Sequence, residues 1–552
     1  MNQPRIDLIW LHADQPAPEW SLGEVYRAEA TPRAVHTLIQ HHLPDTQAEA
    51  WLFWSPVAGV PDPQVVVDCM KRPGDVWHAG LRLGMAGLPG LIDFVNPTWM
   101  FSCDPPVDIE ASSWRLSLSA CLVRTDVLRQ MGGIYPAFKT IDAAALEMGH
   151  RYMTRGVFTR HVPWLIGGDI SPCPVIIPFE DELRFVYYAY RRWQYHWALG
   201  RAVLSGYVSP LPAVWAWWSL RNERKPAVPN PYSHHQESAP PLDARVTVLI
   251  PTLDRYPYLK TLLAQLREQT IKPYEIIVID QTAAEARDTG LQQEFADLPL
   301  KLIYQDEAGQ CTSRNAGLQI AQGDYILFLD DDDEVENDLI ELHLKSLHAF
   351  QADASNGYAR EIGAGPQLES FSFIKVSDVF PTNNTLIRRE VLRKSGLFDL
   401  AYNRSQRADG DLGTRIYLSG HFKVYNPAIS VLHHHAPRGG LRAHRARVIT
   451  YASSRASLIQ RHLPSVSEIY LAKRYFSARQ VHESLWLRAF GTFAIRGSRW
   501  RKILKIAIAG VMLPNTIWRI RKATERADEW LTRYPQIPLL QDAKAPPEVP
   551  GE

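Results

Sequence analysis

The chain has 552 residues, more than one ordinary domain holds, and points to about two to four domains. Its 46% hydrophobic and 22% charged residues exclude wholesale disorder and suit a globular chain with real cores. The net charge of +1 excludes a global field that would recruit nucleic acid or an acidic partner. The five cysteines, Cys69, Cys103, Cys121, Cys173 and Cys311, are scattered and lack C-x-x-C spacing. That argues against a disulfide framework or a zinc site and fits a reducing, cytoplasmic compartment. The N-terminal MNQPRIDLIW lacks a charged leader followed by an apolar run. No stretch reaches the about 18–20 apolar residues that span a bilayer.

Taken in chain order, residues 182–207 read as one aromatic helix packed between domains, and the proline-rich, polar 209–244 as a linker. VTVLIP (246–251) is a β-branched apolar run, a buried strand, and 258–270 carries apolar residues at helical spacing. EIIVID (275–280) and LKLIYQ (300–305) read as strands, CTSRNAGLQIA as a helix, and YILFLDDDDE (325–334) as a strand running into acids. This alternation predicts an α/β fold with a largely parallel sheet and helices on both faces. Ligands bind such sheets beyond the carboxyl ends of the strands, so Asp254, Asp280 and Asp330 should face one crevice.

The chain also repeats itself. LVRTDVLRQMG (122–132) aligns with LIRREVLRKSG (386–396) at an offset of 264, which also pairs Arg151 with Arg415 and Gly156 with Gly420. QAEAWLFWSP (47–56) aligns with QGDYILFLDD (322–331) at an offset of 275, and IDLIWLHADQP (6–16) is similar to VTVLIPTLDRYP (246–257). Ordered matches of this kind point to duplication. The copies differ in their acids: Ser55 stands for Asp330, Val57 for Asp332 and Ala145 for Asp409, whereas Glu147 keeps the carboxylate of Asp411. The first copy therefore reads as a scaffold that has lost its chemistry. The expected division is a degenerate domain at 1–180, a helix and linker at 181–242, a working domain at 243–440, and a helical basic region with a tail at 441–552.

Four consecutive aspartates at the end of an apolar strand repel one another unless a cation neutralises them, and hard oxygen ligands suit Mg2+ or Mn2+. The bland reading is a solvated loop, with Asp333 and Glu334 as caps for a helix over 337–350. The wider motif set favours the first reading. VTVLIPTLDR, EIIVID, GQCTSRNAGL (309–318), GDYILFLDDDD and RADGDLGTRIYLSG (407–420) together resemble the family 2 glycosyltransferases over residues 243–440. That resemblance implies the GT-A fold, Rossmann-related, in both copies. It implies donor contacts at Pro251, Asp254, Asp280, Arg314, Asn315, Asp330 and Asp331. It further implies metal ligands at Asp330 and Asp332, with His433 as the best-placed histidine of VLHHHAPRGGLR (431–442) and His434 and His435 as alternatives, a phosphate approach at the Arg438-Gly-Gly stretch, and a catalytic base at Asp409. Two departures are visible: Ala408 stands where the family often has Glu, and Asp254 where Asn is common. Asp411 is expected to position the acceptor or its loop.

From 438 to 526 there are 19 Lys or Arg against three Glu and no Asp. Within it, 499–522 sets apolar residues between basic, tryptophan-bearing flanks and suits a helix lying in an anionic membrane interface. No nucleic-acid motif accompanies these charges. The expected activity is an inverting, metal-dependent hexosyl transfer from a nucleotide-diphosphate sugar to a hydroxyl of a glycan or lipid-linked acceptor. Its expected place is the cytoplasm, at the inner face of a bacterial membrane, in surface polysaccharide synthesis. The rivals are a nucleotidyltransferase, disfavoured because no glycine-rich, lysine-bearing loop follows 246–251, and a non-catalytic carbohydrate-binding or scaffolding protein, which would have decayed acids in both halves.

Overall fold

A computed structural model describes residues 3–541, apart from 80–84, 86, 168–174, 235–237, 242, 363–364, 366, 435 and 437–450. Cys173, His435 and Arg438 thus lie outside the described residues, and the other four cysteines are free and buried.

The first sheet is built from β1 (Ile6–Trp10), β2 (Val25–Arg27), β3 (Ala50–Trp54), β4 (Val76–His78), β5 (Ala111–Ser112), β6 (Ala120–Arg124) and β7 (Thr159–His161). The second contains β8 (Val246–Thr252), β9 (Glu275–Asp280), β10 (Leu300–Tyr304), β11 (Tyr325–Phe328), β12 (Asp333–Val335), β13 (Ala354–Glu361), β14 (Lys375–Val376), β15 (Thr385–Arg388) and β16 (Lys423–His433). The apolar runs β1, β3, β9 and β11 are buried along their whole length, as strands covered on both faces must be. The order is β2-β1-β3-β6-β4-β7-β5 in one sheet and β10-β9-β8-β11-β15-β13-β16-β12 in the other, with β14 also on β16. Strand for strand, and with the same parallel and antiparallel pairings, the second sheet repeats the first and adds β10 and β12 at its ends. Register agrees as well: Val76 pairs with Thr159 and Ala111 with His161, and their counterparts Ala354 and Lys375 pair with Lys423 and Tyr425. The α/β class with two like-built sheets and a helical C-terminal region is therefore what the chain adopts.

The two copies meet through reciprocal contacts. Gly156 packs on the carbonyl of Ile374, and its equivalent Gly420 packs on the carbonyl of Glu110, the equivalent of Ile374. Phe158 and its equivalent Phe422 meet ring to ring at 5.1 Å. Reciprocity of this kind defines an isologous interface, here within one chain.

Several expectations need correction. The sheet is mixed, because β15 runs antiparallel to both β11 and β13. The aromatic helix is two, Phe179–Ala189 and Arg192–Leu204. The expected linker contains a further helix, Pro210–Leu220, whose prolines fall in the first turn, where a missing N–H costs nothing. Asp333 and Glu334 cap no helix: they form β12 against β16, and the helix Leu339–Phe350 starts at Asp338. Finally, the C-terminal helix Arg499–Arg533 runs 35 residues through Pro514, and an 18-residue window in it has a mean hydropathy of 1.4 with 22% buried. By length and composition it could cross a membrane, which the residue-by-residue reading of 499–522 did not expect.

Two tests follow from the interface. Gly420 has φ +85°, and a Cβ there would lie 2.5 Å from the Glu110 carbonyl. Gly420→Ala should cost about 1–3 kcal/mol, seen as a lower urea midpoint. Lys423 is buried, with Nζ 2.7 Å from the Gly413 carbonyl and 3.2 Å from Met100 Sδ, and burial pulls its amine down to about 7. Its folded-state value lies below the unfolded one, so the unfolded chain holds the extra proton and stability rises with pH from about 7 toward 10. Lys423→Met should raise Tm most at or below neutral pH, with the gain shrinking as pH rises through that window.

Candidate active site

The carboxyl ends of β8 and β11 open into a cleft of 530 Å³. Pro251, Arg314, Asp330, Asp331, Asp332, Asp409 and His433, all anticipated from the sequence, line it. So do Thr252, Arg255, Gln281, Phe398 and Arg407, which were not singled out.

The acids are sorted by their partners. Asp330 is 30% exposed at the side chain and pairs with Arg314 at 2.6 Å. Asp331 is buried, accepting from the Thr252 hydroxyl at 2.8 Å and Arg255 Nη1 at 3.0 Å. Burial pushes its carboxyl up to about 6 against the pull of Arg255. Asp332 Oδ2 accepts the Ala436 N–H at 2.7 Å, whereas Oδ1 makes no hydrogen bond although buried, and sits 3.2 Å from Arg255 Nη1. Asp333 accepts the Asp330 N–H at 2.8 Å and pairs with His433 Nδ1 at 2.9 Å. Burial works against the His433 cation, but the bond to Asp333 outweighs it and raises the imidazole above its ordinary value. Among the described residues no three His, Cys, Asp or Glu side chains form a ready ligand group. The oxygens of Asp330 and Asp332 nonetheless suit a hard cation: one is exposed to the cleft, the other is buried without a hydrogen bond. A carboxylate on Nδ1 is also the usual way a metal-ligating imidazole is oriented.

Three residues anticipated as donor contacts, Asp254, Asp280 and Asn315, are not among those lining the cleft. Asp280 is fully buried, accepting from the Tyr256 hydroxyl at 2.6 Å and the Thr282 N–H at 2.9 Å. Asp254 is exposed, with φ 58°, and does not line the cleft. Asn315 uses both ends of its amide on the Phe398 backbone, at 2.8 and 2.9 Å. The first N–H groups of the helix Gln310–Ile320 are also taken: Cys311 and Thr312 donate to Asn403 Oδ1 at 2.9 and 3.0 Å.

Asp409 is exposed in the first turn of the helix Ala408–Leu418, one residue after Ala408 and two after Arg407, whose φ is +80°. Asp411 faces inward instead. It pairs with Arg415 at 2.8 Å and accepts from the Tyr475 hydroxyl at 2.7 Å, and Arg415 reaches the carbonyls of Ser395 and Leu397. Glu147 and Arg151 repeat this clamp on Met131 and Gly133 in the first copy. Asp411 is thus structural, as its survival in the degenerate copy implies. Arg255 was legible only as an unassigned part of VTVLIPTLDR. Its counterpart at the β1–β8 offset is Gln15, so the first copy lacks both the acids and this cation.

The family model described as glycosyl transferase family 2 matches residues 247–394, from β8 to the helix after β15, so Asp409 and His433 lie outside the match. Glycosyltransferase GlyA of Streptococcus pneumoniae is 32% identical over 118 residues, 21% of this chain and 17% of GlyA. The amylovoran biosynthesis glycosyltransferase AmsB of Erwinia amylovora is 26% identical over 120 residues, 21% of this chain and 40% of AmsB. The chain thus spans less than half the length of these curated relatives. Among solved structures, mannosyltransferase PcManGT of Pyrobaculum calidifontis, in complex with GDP-Man and Mn2+, is 19% identical. It covers 60% of this chain and 95% of that one, with a TM-score of 0.35. S. aureus TarS in complex with UDP-GlcNAc is 15% identical over 53% of this chain and 92% of that one, also at 0.35. At such scores neither likeness bears on the site.

Asn315→Ala should lower stability by about 1–3 kcal/mol through the two lost backbone bonds, leaving nucleotide affinity within twofold. A tenfold loss of affinity in calorimetric titration would return Asn315 to the donor site. With its strand order, its acid-ended β11 and this match together, the second copy carries a glycosyl transferase family 2 domain at residues 247–394.

Proposed function

We propose that the second copy is an inverting glycosyltransferase. It would move a sugar from a nucleotide-diphosphate donor to a hydroxyl of a glycan or lipid-linked acceptor. The observation that carries this reading is a single cleft that holds Asp330, Asp332 and Arg314 together with the exposed carboxylate of Asp409. Arg314 adds fixed positive charge where a diphosphate leaving group gains negative charge. Asp409 accepts the proton of the attacking hydroxyl. The reaction is one in-line displacement with no covalent enzyme intermediate, which inverts the anomeric carbon. A divalent cation, Mg2+ or Mn2+, would be held by Asp330 and Asp332, with His433 oriented by Asp333, and would stabilise the departing diphosphate. Asp331 is a support: its bonds to Thr252 and Arg255 tie β8 to the acid turn.

The first copy is a non-catalytic partner domain, with Ser55, Val57 and Ala145 in place of acids. Relatives from bacteria, one named for amylovoran biosynthesis, support a role in surface polysaccharide synthesis, and the apolar, cation-flanked helix Arg499–Arg533 is what would place it at the inner membrane face.

Metal-dependent thermal stabilisation by one nucleotide diphosphate or nucleotide sugar is expected in the wild type and not in Asp330→Ala/Asp332→Ala. Asp409→Asn should keep that stabilisation and lose transfer by at least about a hundredfold, the low end for a general base. Full turnover in Asp409→Asn would remove it from the role of base.

A further inference from the structure

A second polar cavity lies at the opposite end of β11 from the cleft. It holds 380 Å³ and is lined by Arg245 before β8, by residues 322–325 at the start of β11, and by residues 388–390 and 393 after β15. Tyr325 opens β11 and Asp330 stands two residues past its end, so at about 3.3 Å per residue the cavity and the acid turn are roughly 15 Å apart. A single phosphate group cannot touch both.

Among the lining residues, four guanidiniums, on Arg245, Arg388, Arg389 and Arg393, stand against two carboxylates, on Asp324 and Glu390. Asp324 is spent on Arg245, whose Nε and Nη2 reach its two oxygens at 3.1 Å each. Glu390 is exposed. Two further carboxylates approach from neighbouring strands, and both are engaged. Glu275 holds Lys301, the Thr247 hydroxyl and the Gln322 N–H. Asp353 accepts the Phe422 N–H and faces His421 at 3.4 Å. Arg388 reaches only long, neutral partners in these contacts, the Tyr325 hydroxyl and the Ala352 carbonyl, each at 3.4 Å. Arg389 gives its backbone N–H to the Asp324 carbonyl at 2.8 Å, while its side-chain Nε is buried without a hydrogen bond. A buried donor in that state is costly.

The first copy shows how this balance arose. At the offsets that align the copies, Arg5, Glu49, Arg124, Asp126 and Arg129 correspond to Arg245, Asp324, Arg388, Glu390 and Arg393. Two other positions change, and both add positive charge to the second copy. Asp7, which Arg5 faces at 3.9 Å, becomes Thr247, and Thr125 becomes Arg389. Thr125 is buried and closes its site without charge, donating its hydroxyl to the Ala48 carbonyl at 2.6 Å. A cation set among cations is destabilising until an anion joins it.

We propose that this cavity is an anion site for a compact phosphate or diphosphate group, separate from the cleft and in place whether or not the cleft transfers sugar. The planar guanidinium fork matches phosphate oxygens with paired N–H···O bonds. The backbone N–H groups of Gln322 and Gly323 are already given to Glu275 and Thr247, so recognition falls to the arginines. A bound oxyanion would tie the entry to β8 and the turn before β11 to the segment after β15. It would thereby brace the foot of the strand whose other end carries the acids.

The test is calorimetric titration of the full chain with pyrophosphate, in EDTA and at constant ionic strength. Saturable binding is expected, and chloride at the same ionic strength should give none. Arg389→Thr, which restores the first copy's side chain, should weaken it at least tenfold. Arg388→Gln gives a second reading should Arg389→Thr fail to fold. Arg314→Gln, which removes a cation from the cleft, should leave the affinity within twofold. Absence of saturable binding, or unchanged affinity in both Arg389→Thr and Arg388→Gln, would overturn the proposal. Loss of binding in Arg314→Gln alone would also overturn it, by giving the pyrophosphate to the cleft. Displacement by oligoglutamate as readily as by inorganic phosphate would replace the compact anion with an acidic peptide. The metal-dependent thermal shift with nucleotide, read on the same proteins, reports the donor site separately. Its absence with pyrophosphate binding intact would sink the transferase reading and not this site.

Discussion

Everything at the centre of this molecule depends on holding four consecutive carboxylates at the end of one buried strand. Like charges so close cannot all ionise without compensation. The protein answers with a cation or a dipole for each: Arg314 for Asp330, Thr252 and Arg255 for Asp331, Arg255 and a backbone N–H for Asp332, and His433 for Asp333. These partners come from the helix Gln310–Ile320, the end of β8 and the turn after it, and the end of β16 and the residues just beyond it. The acid turn thereby cross-links three segments distant in sequence. It also leaves one oxygen of Asp332 buried without a hydrogen bond, beside an Asp330 partly open to the cleft, which is where a ligand with positive charge would gain most.

The first copy shows what the same scaffold looks like without that demand. Its strand order and register match the second copy, yet its β3 ends on Ser55 and Pro56, and Gln15 stands where Arg255 does. Acids and arginine are absent together, as coupled charges should be, since either alone would be an uncompensated buried ion. The Glu147–Arg151 clamp was retained because it closes a loop on backbone carbonyls rather than serving a ligand. The first copy also packs against the second. It fills the place of a second subunit in a reciprocal interface, with Phe158 against Phe422 near its centre, and buries Lys423 beside Met100.

Beyond the two sheets, the C-terminal helices pack beside the cleft. Arg407 sits at the start of the helix that carries Asp409, and Glu468 binds it to Arg488 on the helix Ala478–Gly491. The described cations after residue 450 are thus not one solvated face. Lys505 is buried on three carbonyls, Arg488 pairs with Glu468, and Arg499, Arg501 and Lys502 remain on the exposed first half of the last helix.

The sequence by itself determined the parts governed by local pattern. Buried apolar runs located β8, β9 and β11 within a residue or two, because a strand covered on both faces has no other reason to be continuously apolar. The 264-residue offset located the duplication, because corresponding helices and strands need corresponding side chains. The acid run was legible because clustered charge is costly without a use, and Asp409 through the resemblance of RADGDLGTRIYLSG to a family motif. Tertiary structure alone decided which polar residues reach the cleft. Asp280 and Asn315 look like ligands in a motif, yet the first accepts from the Tyr256 hydroxyl and the second clamps the Phe398 backbone, partners that lie 24 and 83 residues away along the chain. Arg255 carries no pattern of its own and acquires its role only when β8 lies beside β11. The mixed sheet, the reciprocal interface and the Arg407–Glu468–Arg488 cluster are likewise products of packing between distant segments, which no local spacing encodes.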